Sequence, residues 1–499
     1  GDRQAMTRET YFITTPIYYV NDRPHIGHAY TSIAADVLAR WKRLEGKRVF
    51  FLTGTDEHGQ KVEKAARDAG EAPKPFTDRV SQAFRELSGV IGLSNDDFIR
   101  TTEERHYAAC QALWQRLVEA GDIYLGHYEG WYAVRDEAFY GPDELTEREG
   151  VKYAPSGAPV EWVREPSYFF RLSRWLPDLL RRYDLPEGDP ERISIAPETR
   201  KNEVVAFIRQ GLKEFADSPG KLDLSVSRTS FRWGVPVPGD PDHVMYVWLD
   251  ALTNYITAAG YPSDPERFAA FWPADLHMVG KDIVRFHAIY WPAFLMSAGI
   301  APPRRVFAHG WWTNEGQKIS KSLGNVIDPL ELVQRFGLDP VRYFLLREVP
   351  FGQDGDFSRK ALIARNNGEL ADALGNLANR VLSLIQKTCD GRLPEARQTE
   401  AGRALLAPAA LAADPRARAI GAVALQDLPA ALSQHLDAQD FSGALALVFT
   451  LVRGGNEYIT ARAPWALRKT DPAEMAVVLR DLHTALRAYA TVLQPFMPG

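Results

Sequence analysis

Between residues 11 and 20 the chain carries β-branched and aromatic side chains almost without a break, the pattern of a buried strand. Asn21, Asp22 and Pro24 then supply turn and first-helical-turn chemistry. Apolar residues recur at helical spacing from Ile26 through Tyr30, Ile33, Ala34, Val37, Leu38, Trp41 and Leu44 until Gly46. A second short apolar run, residues 49–52, ends in TGTDEHG. Strand, helix and strand in this order predict a parallel βαβ unit with a right-handed crossover, whose ligands sit beyond the carboxyl ends of the strands.

Helical periodicity continues over residues 60–69, 76–91 and 104–120. From Ile123 the pattern turns to short aromatic-rich strands broken by Gly and Pro, with helical stretches at residues 175–183 and 201–212. Residues 118–230 therefore read as an insertion that splits the first fold. The sheet is expected to resume through SVSRTSFRWGVPVP and VMYVWLDALTNYI, then at residues 276–279 and 306–310, with a helix over 283–298 between the last two. Residues 313–325, TNEGQKISKSLGN, form a polar loop, residues 329–348 a helical passage, and FGQDGDFS an irregular segment. After Arg359 the pattern is helical nearly throughout, interrupted by an Ala-, Pro- and Arg-rich connection over 391–418 that is expected to be mobile, and completed by helices over 422–434, 442–461 and 473–493.

Composition narrows the class. At 499 residues the chain has room for two or three domains with ample core. Two cysteines, Cys110 and Cys389, stand far apart without a CxxC partner, which argues for a reducing compartment and a cytoplasmic protein. The longest apolar run, residues 444–452, is too short to span a bilayer, so no membrane partner is expected. The net charge of −5 excludes a bulk basic field, so any nucleic acid would be read through local patches. Residues 1–5, which precede Met6, look like an expression remnant, and the chain stops at Gly499 in a way that suggests a further C-terminal piece.

The helix of the first unit opens on His25, Ile26, Gly27 and His28. Its unpaired N–H groups and positive dipole end suit an anion, and Gly27 lets a base or phosphate approach the main chain. The segment lacks the GxGxxG spacing of dinucleotide binders, which removes the main support for hydride transfer. Two histidines can also simply cap a helix, so this motif needs a partner. Lys318, Ser320, Lys321 and Ser322 in the polar loop KISKS provide one: lysines there can neutralise charge that builds on phosphate oxygens.

HIGH followed nearly 300 residues later by KISKS resembles the paired signatures of class I aminoacyl-tRNA synthetases, and the whole chain is similar to the methionyl-tRNA synthetases among them. The resemblance implies an α/β fold, a Rossmann-type parallel sheet split by an α+β insertion and followed by an all-α helical bundle. It divides the chain into a first catalytic half (6–117), an insertion (118–230), a second catalytic half (231–312), a KISKS and stem-contact region (313–358) and a helical anticodon-binding domain (359–499). The implied catalytic residues are His25, His28, Lys318 and Lys321, with Gly27 and Ser320 joining them around ATP. Carried over residue by residue, the methionine site comprises Ile17, Tyr19, Asp56, Trp248, Ala251, Leu252, Tyr255, Asp282, Ile283, His287 and Trp291. Asp56 would take the ammonium. The anticodon contacts fall on Asn376, Arg380 and Trp465, groups of the kind that read and stack unpaired bases. ATP with Mg2+, L-methionine and methionine tRNA, both initiator and elongator, are the implied substrates of a monomer.

One departure concerns metal. Many relatives carry a zinc knuckle in the insertion, but Ala133, Asp136, Ala154 and Gly157 stand where its cysteines would be, so no structural zinc is expected. Two other readings compete: a HIGH-type nucleotidyltransferase acting without RNA, and a non-catalytic RNA-binding descendant of a synthetase. The long helical region argues against the first and the intact histidines and lysines against the second. The insertion is too short for the editing domain that isoleucine, valine and leucine enzymes need.

Overall fold

Strand Thr10–Tyr19 lies inside a six-stranded, wholly parallel sheet. The strands run in the order Asp97–Arg100, Arg48–Asp56, Thr10–Tyr19, Leu276–Gly280, Arg305–His309 and Ser194–Ala196. Arg48–Asp56, Leu276–Gly280 and Arg305–His309 are buried along nearly their whole length, as in a sheet covered on both faces. The chain leaves Thr10–Tyr19 toward one edge and later returns on its other side at Leu276–Gly280. That reversal creates a switch point, and the crevice beyond the strand ends there is where such sheets hold ligands. The computed structural model describes residues 8–20, 23–136, 138–320, 322–397 and 427–499. The turn residues Asn21 and Asp22, Lys321, residues 1–5 and most of the connection expected over 391–418 lie outside them.

Two compact units emerge. The first comprises residues 1–24, 42–89 and 93–309. Within it, Ile123–Ala133 pairs antiparallel with Glu161–Phe170 from Ile123 opposite Phe170 to Tyr132 opposite Glu161, extended by Leu224–Ser225 and Ala138–Tyr140. Three expectations are corrected here. The segment read as a resumption of the parallel sheet forms a separate three-stranded antiparallel sheet of Ser227–Arg228, Asp240–Met245 and Pro236–Val237. WLDALTNYI is helix, Val247–Ala258, in which Leu249, Leu252, Tyr255 and Ile256 are buried at helical spacing, and the polar residues between them, Asp250, Thr253 and Asn254, are buried as well. Ser194–Ala196, from within the expected insertion, is an edge strand of the parallel sheet.

The second unit comprises residues 25–41, 90–92 and 310–499. Its small sheet joins Gln317–Lys318, Trp312–Asn314 and Gly355–Phe357, so the irregular segment FGQDGDFS contributes a strand. Helices follow at Pro329–Phe336, Leu338–Arg347, Arg359–Arg365, Asn376–Thr388, Leu428–Asp437, Phe441–Arg462, Pro464–Thr470 and Pro472–Leu493, with a wide-turned π segment at Asn366–Gly375. Arg342, fully buried, bonds Asp36 at 2.6 Å and the carbonyls of Ile91, Pro495 and Phe496. Four acceptors around one guanidinium satisfy a charge whose burial would otherwise cost several kcal/mol.

Candidate active site

In the first unit, the carboxyl ends of Thr10–Tyr19 and Arg48–Asp56 open into a cavity of about 830 Å³. Nine of the eleven residues expected around methionine line it: Ile17, Tyr19, Asp56, Trp248, Ala251, Leu252, Tyr255, Ile283 and His287. Asp282 and Trp291 do not. Asp282 is exposed, and Trp291 is buried behind Tyr255, its ring centroid 6.0 Å away and its indole N–H donating to His277.

Asp56 is 5% exposed, and its Oδ1 has no hydrogen-bond partner among the described residues. Burial, and then the charge of Asp250, push its carboxyl well above the usual range, against a hydrogen bond from the His58 amide. A buried acceptor without a donor is costly, and a substrate ammonium would supply both the donor and the countercharge. At the apolar end, His287 Nδ1 donates to the Ile283 carbonyl at 3.0 Å, which leaves Nε2 to accept from the Tyr255 hydroxyl at 2.6 Å. The imidazole is thus neutral, and burial lowers its pKa to about 4. Trp248 stacks on Phe286 at 3.6 Å, fixing one aromatic wall. Aromatic and aliphatic walls with a neutral imidazole suit a thioether.

Sequence reasoning missed Arg228. It lines the same cavity, is 5% exposed, and lies between the rings of Tyr128 and Tyr246, its guanidinium carbon 4.0 and 3.9 Å from their centroids. Gln60 and Asn254 also line the cavity. Nothing in SVSRTS separates this arginine from a surface one; only the fold brings the two tyrosines to it.

The fit of a zinc knuckle can be tested where its cysteines would stand. Ala133 and Ala154 are buried in a small apolar cluster with Ala158 and Val160, while Asp136 accepts from the hydroxyls of Tyr140 and Ser156. These residues do not fit a structural zinc: the positions hold methyl groups and a hydrogen-bonded carboxylate. Among the described residues, His106, Cys110 and Asp250 bring three potential ligand atoms within 4.8 Å of one another. His106 Nε2 and Asp250 Oδ1 are 2.8 Å apart, a hydrogen-bond distance, whereas two ligands of a tetrahedral zinc lie about 3.3 Å apart.

The second unit gathers the other chemistry. The rings of His25 and His28 stack at 3.8 Å at the start of helix Ile26–Leu44. The His25 amide donates to His28 Nδ1 and the Gly27 amide to His25 Nδ1, both at 3.0 Å, so each neutral ring carries its proton on Nε2. Burial and the neighbouring His25 hold His28 well below the usual imidazole range. A Cβ on Gly27 would meet His25 Cε1 at 2.9 Å, so the stack needs glycine there. The Ile26 amide donates to the carbonyl of Ile327, just past the lysine loop. Within that loop Asn325 accepts from the Ser320 amide and donates to the Lys318 carbonyl, and Lys318 itself is exposed.

Farther along the same unit, Asn376 is exposed at the start of helix Asn376–Thr388. Arg380, one turn on, donates to Thr460 at 2.9 Å and lies 5.8 Å from the ring of Trp465, which is 49% exposed. A cation thus flanks an open ring face, an arrangement that suits stacking of an unpaired base.

The family of tRNA synthetases class I (M) matches residues 11–382, and the anticodon binding domain of methionyl tRNA ligase matches residues 408–499. The Methionine--tRNA ligase of Brucella suis biovar 1 (strain 1330) is 53% identical over 495 residues, 99% of this chain and 90% of that protein. That of Rickettsia bellii (strain RML369-C) is 54% identical over 490 residues, 98% and 91% of the two. The Mycobacterium tuberculosis methionyl-tRNA synthetase in complex with methionyl-adenylate superposes with a TM-score of 0.85 at 48% identity, covering 98% of this chain and 92% of that one. With the cavity at the sheet's switch point and the stacked histidines at a helix start, these likenesses place the chain in the methionyl family of class I aminoacyl-tRNA synthetases.

Proposed function

We propose that this chain activates L-methionine with ATP and transfers it to the 3′ end of methionine tRNA. Asp56 carries the reading, because its buried, unpartnered oxygen in a cavity that also presents Trp248, Leu252, Tyr255 and Ile283 calls for a cation attached to a flexible hydrophobic side chain. The ammonium pairs with Asp56, and the methylthio group packs toward Tyr255 and His287. The methionine carboxylate attacks the α-phosphorus, the new O–P bond forms, and the bond to the β-phosphate oxygen breaks to release pyrophosphate. Histidine N–H groups at His25 and His28, with Lys318 and Lys321, stabilise the charge on the phosphate oxygens in that transition state. Mg2+ enters as part of the nucleotide substrate, shielding its β- and γ-phosphates. A terminal ribose hydroxyl of the tRNA then attacks the activated carbonyl and AMP leaves. Asn376, Arg380 and Trp465 read the anticodon loop of initiator and elongator methionine tRNA, and the enzyme works as a monomer. Amino-acid-dependent exchange between ATP and pyrophosphate, run across the twenty amino acids, tests the reading; stronger exchange with isoleucine or cysteine than with methionine overturns it.

A further inference from the structure

His58 follows Asp56 by two residues and serves the cavity only through its main chain. Its amide donates to Asp56 and its carbonyl accepts from the Tyr19 hydroxyl at 3.0 Å, so one peptide segment holds both groups expected at the polar end of methionine. Gly59, at φ +107°, lets that segment turn so close to Tyr19 that a Cβ would meet the hydroxyl at 2.8 Å. What holds His58 itself is a buried carboxylate. His58 Nδ1 lies 2.7 Å from Asp250 Oδ2, and His106 Nε2 lies 2.8 Å from Asp250 Oδ1. Asp250 is completely buried, on the helix whose next two residues, Ala251 and Leu252, form the cavity wall. The outer edges of both imidazoles are also bonded, His58 Nε2 to the Tyr107 hydroxyl at 2.9 Å and His106 Nδ1 to Thr257 at 3.0 Å. The chain of contacts spans three elements: the strand end with Asp56, helix Glu104–Glu119 and helix Val247–Ala258.

We propose that Asp250 is a positioning residue of the amino-acid site: by bridging His58 and His106 it locks the peptide that holds Tyr19 and Asp56 to the helix that forms the cavity wall. The inference rests on the reading of Asp56 as partner of the substrate ammonium. Networks of this kind are stiff when every member is satisfied and costly when one is removed. Asp250 also acts at a distance. Two histidines hold it ionised, and its charge is the chief electrostatic influence that disfavours ionisation of Asp56, with Glu57 adding to it. Tyr19 and Tyr255 face the same carboxyl and, raised by burial, remain neutral across the working range. Asp250 thus restrains Asp56 in place while making it less ready to ionise until the ammonium arrives.

Methioninol, which keeps the ammonium and thioether but lacks the carboxylate, is the probe. Its affinity is measured from pH 5 to 9, beside exchange kinetics with methionine and ATP. Asp250→Asn preserves the shape of the side chain; it should weaken methioninol about tenfold or more and move the acid limb of binding to lower pH, because Asp56 then ionises more easily. His58→Ala should raise KM for methionine with kcat and KM for ATP little changed, and His58→Asn, which keeps a donor where Nδ1 stands, should restore most of the loss. A uniform loss across all pH values in Asp250→Asn, or a His58→Asn no better than His58→Ala, overturns the proposal and leaves Asp250 a core group. If Asp250→Asn does not fold, the two His58 variants decide. Asp56→Asn separates the underlying reading: retained methioninol binding in that variant overturns the ammonium assignment itself.

Discussion

The amino-acid cavity and the histidine-lysine site solve opposite problems. Around the cavity the polar groups bond to one another in sequence: Tyr255 to His287, His287 to Ile283, Tyr19 to His58, and behind the lining His58 to Asp250. Among the described residues Asp56 Oδ1, Asn254 Oδ1 and Gln60 Nε2 are left open along its lining, and of these only Asp56 is a carboxylate that calls for a cation. The proposed phosphate-handling site spends its hydrogen bonds differently. Main-chain amides fix the inner nitrogens of His25 and His28, so both present N–H on Nε2, and Lys318 is exposed on a hairpin. Selection of a neutral thioether needs a rigid, dry wall, whereas stabilising charge that appears during reaction needs donors held ready.

The sharpest way to break this contrast is His28→Ala. It should raise the barrier to adenylate formation by about 3–4 kcal/mol while leaving methionine affinity nearly unchanged; pre-steady-state rates beside equilibrium binding check it, and equal losses in both would erase the distinction. Next in size is the acid response of the cavity. His287 has its pKa lowered from 6.5 to about 4, so the fold keeps it neutral while the unfolded chain takes a proton. Its contribution to stability is complete above 6.5 and is lost as pH falls from there to about 4, at about 1.4 kcal/mol per pH unit over that window. Urea unfolding of wild type and His287→Asn across this range measures it, and the variant should show a shallower acid slope.

A smaller effect belongs to the helical region. Trp465→Ala should cost about 1–3 kcal/mol in tRNA charging, the scale of one stacked base, with pyrophosphate exchange unchanged. An equal drop in both activities would mean the residue supports folding instead. The smallest effect sharpens the cavity side: norleucine, with CH2 in place of sulfur, should lose only the sulfur-aromatic contact, about 0.3–1.5 kcal/mol in kcat/KM relative to methionine.

Much of this contrast was legible in the sequence, for reasons that particular residues show. The strand beginning at Thr10 and the helix at Ile26 carry local periodicities, and HIGH and KISKS are contiguous, so both sites could be located from residue order. Helix Val247–Ala258 was hidden because it directly follows strand Asp240–Met245 and buries polar residues as well as apolar ones, so polarity does not mark an outer face. Ser194–Ala196 is three residues long and becomes a strand only through its neighbour Arg305–His309. The Asp250 bridge joins residues 192 and 144 positions apart, and Arg228 acquires meaning only between two tyrosines. Motifs survive in one dimension; hydrogen-bond networks do not.

The four bonds of Arg342 also order events in time. The helix that opens on His25 and His28 carries Asp36, and Asp36 is held by Arg342, whose remaining donors reach the carbonyls of Ile91, Pro495 and Phe496. On a ribosome the histidine helix is made within the first tenth of synthesis, yet the clamp that anchors it cannot close until residues 495 and 496 have emerged. The last strand of the parallel sheet ends at His309, so every strand that frames the cavity has been made well before the clamp on the histidine helix can close.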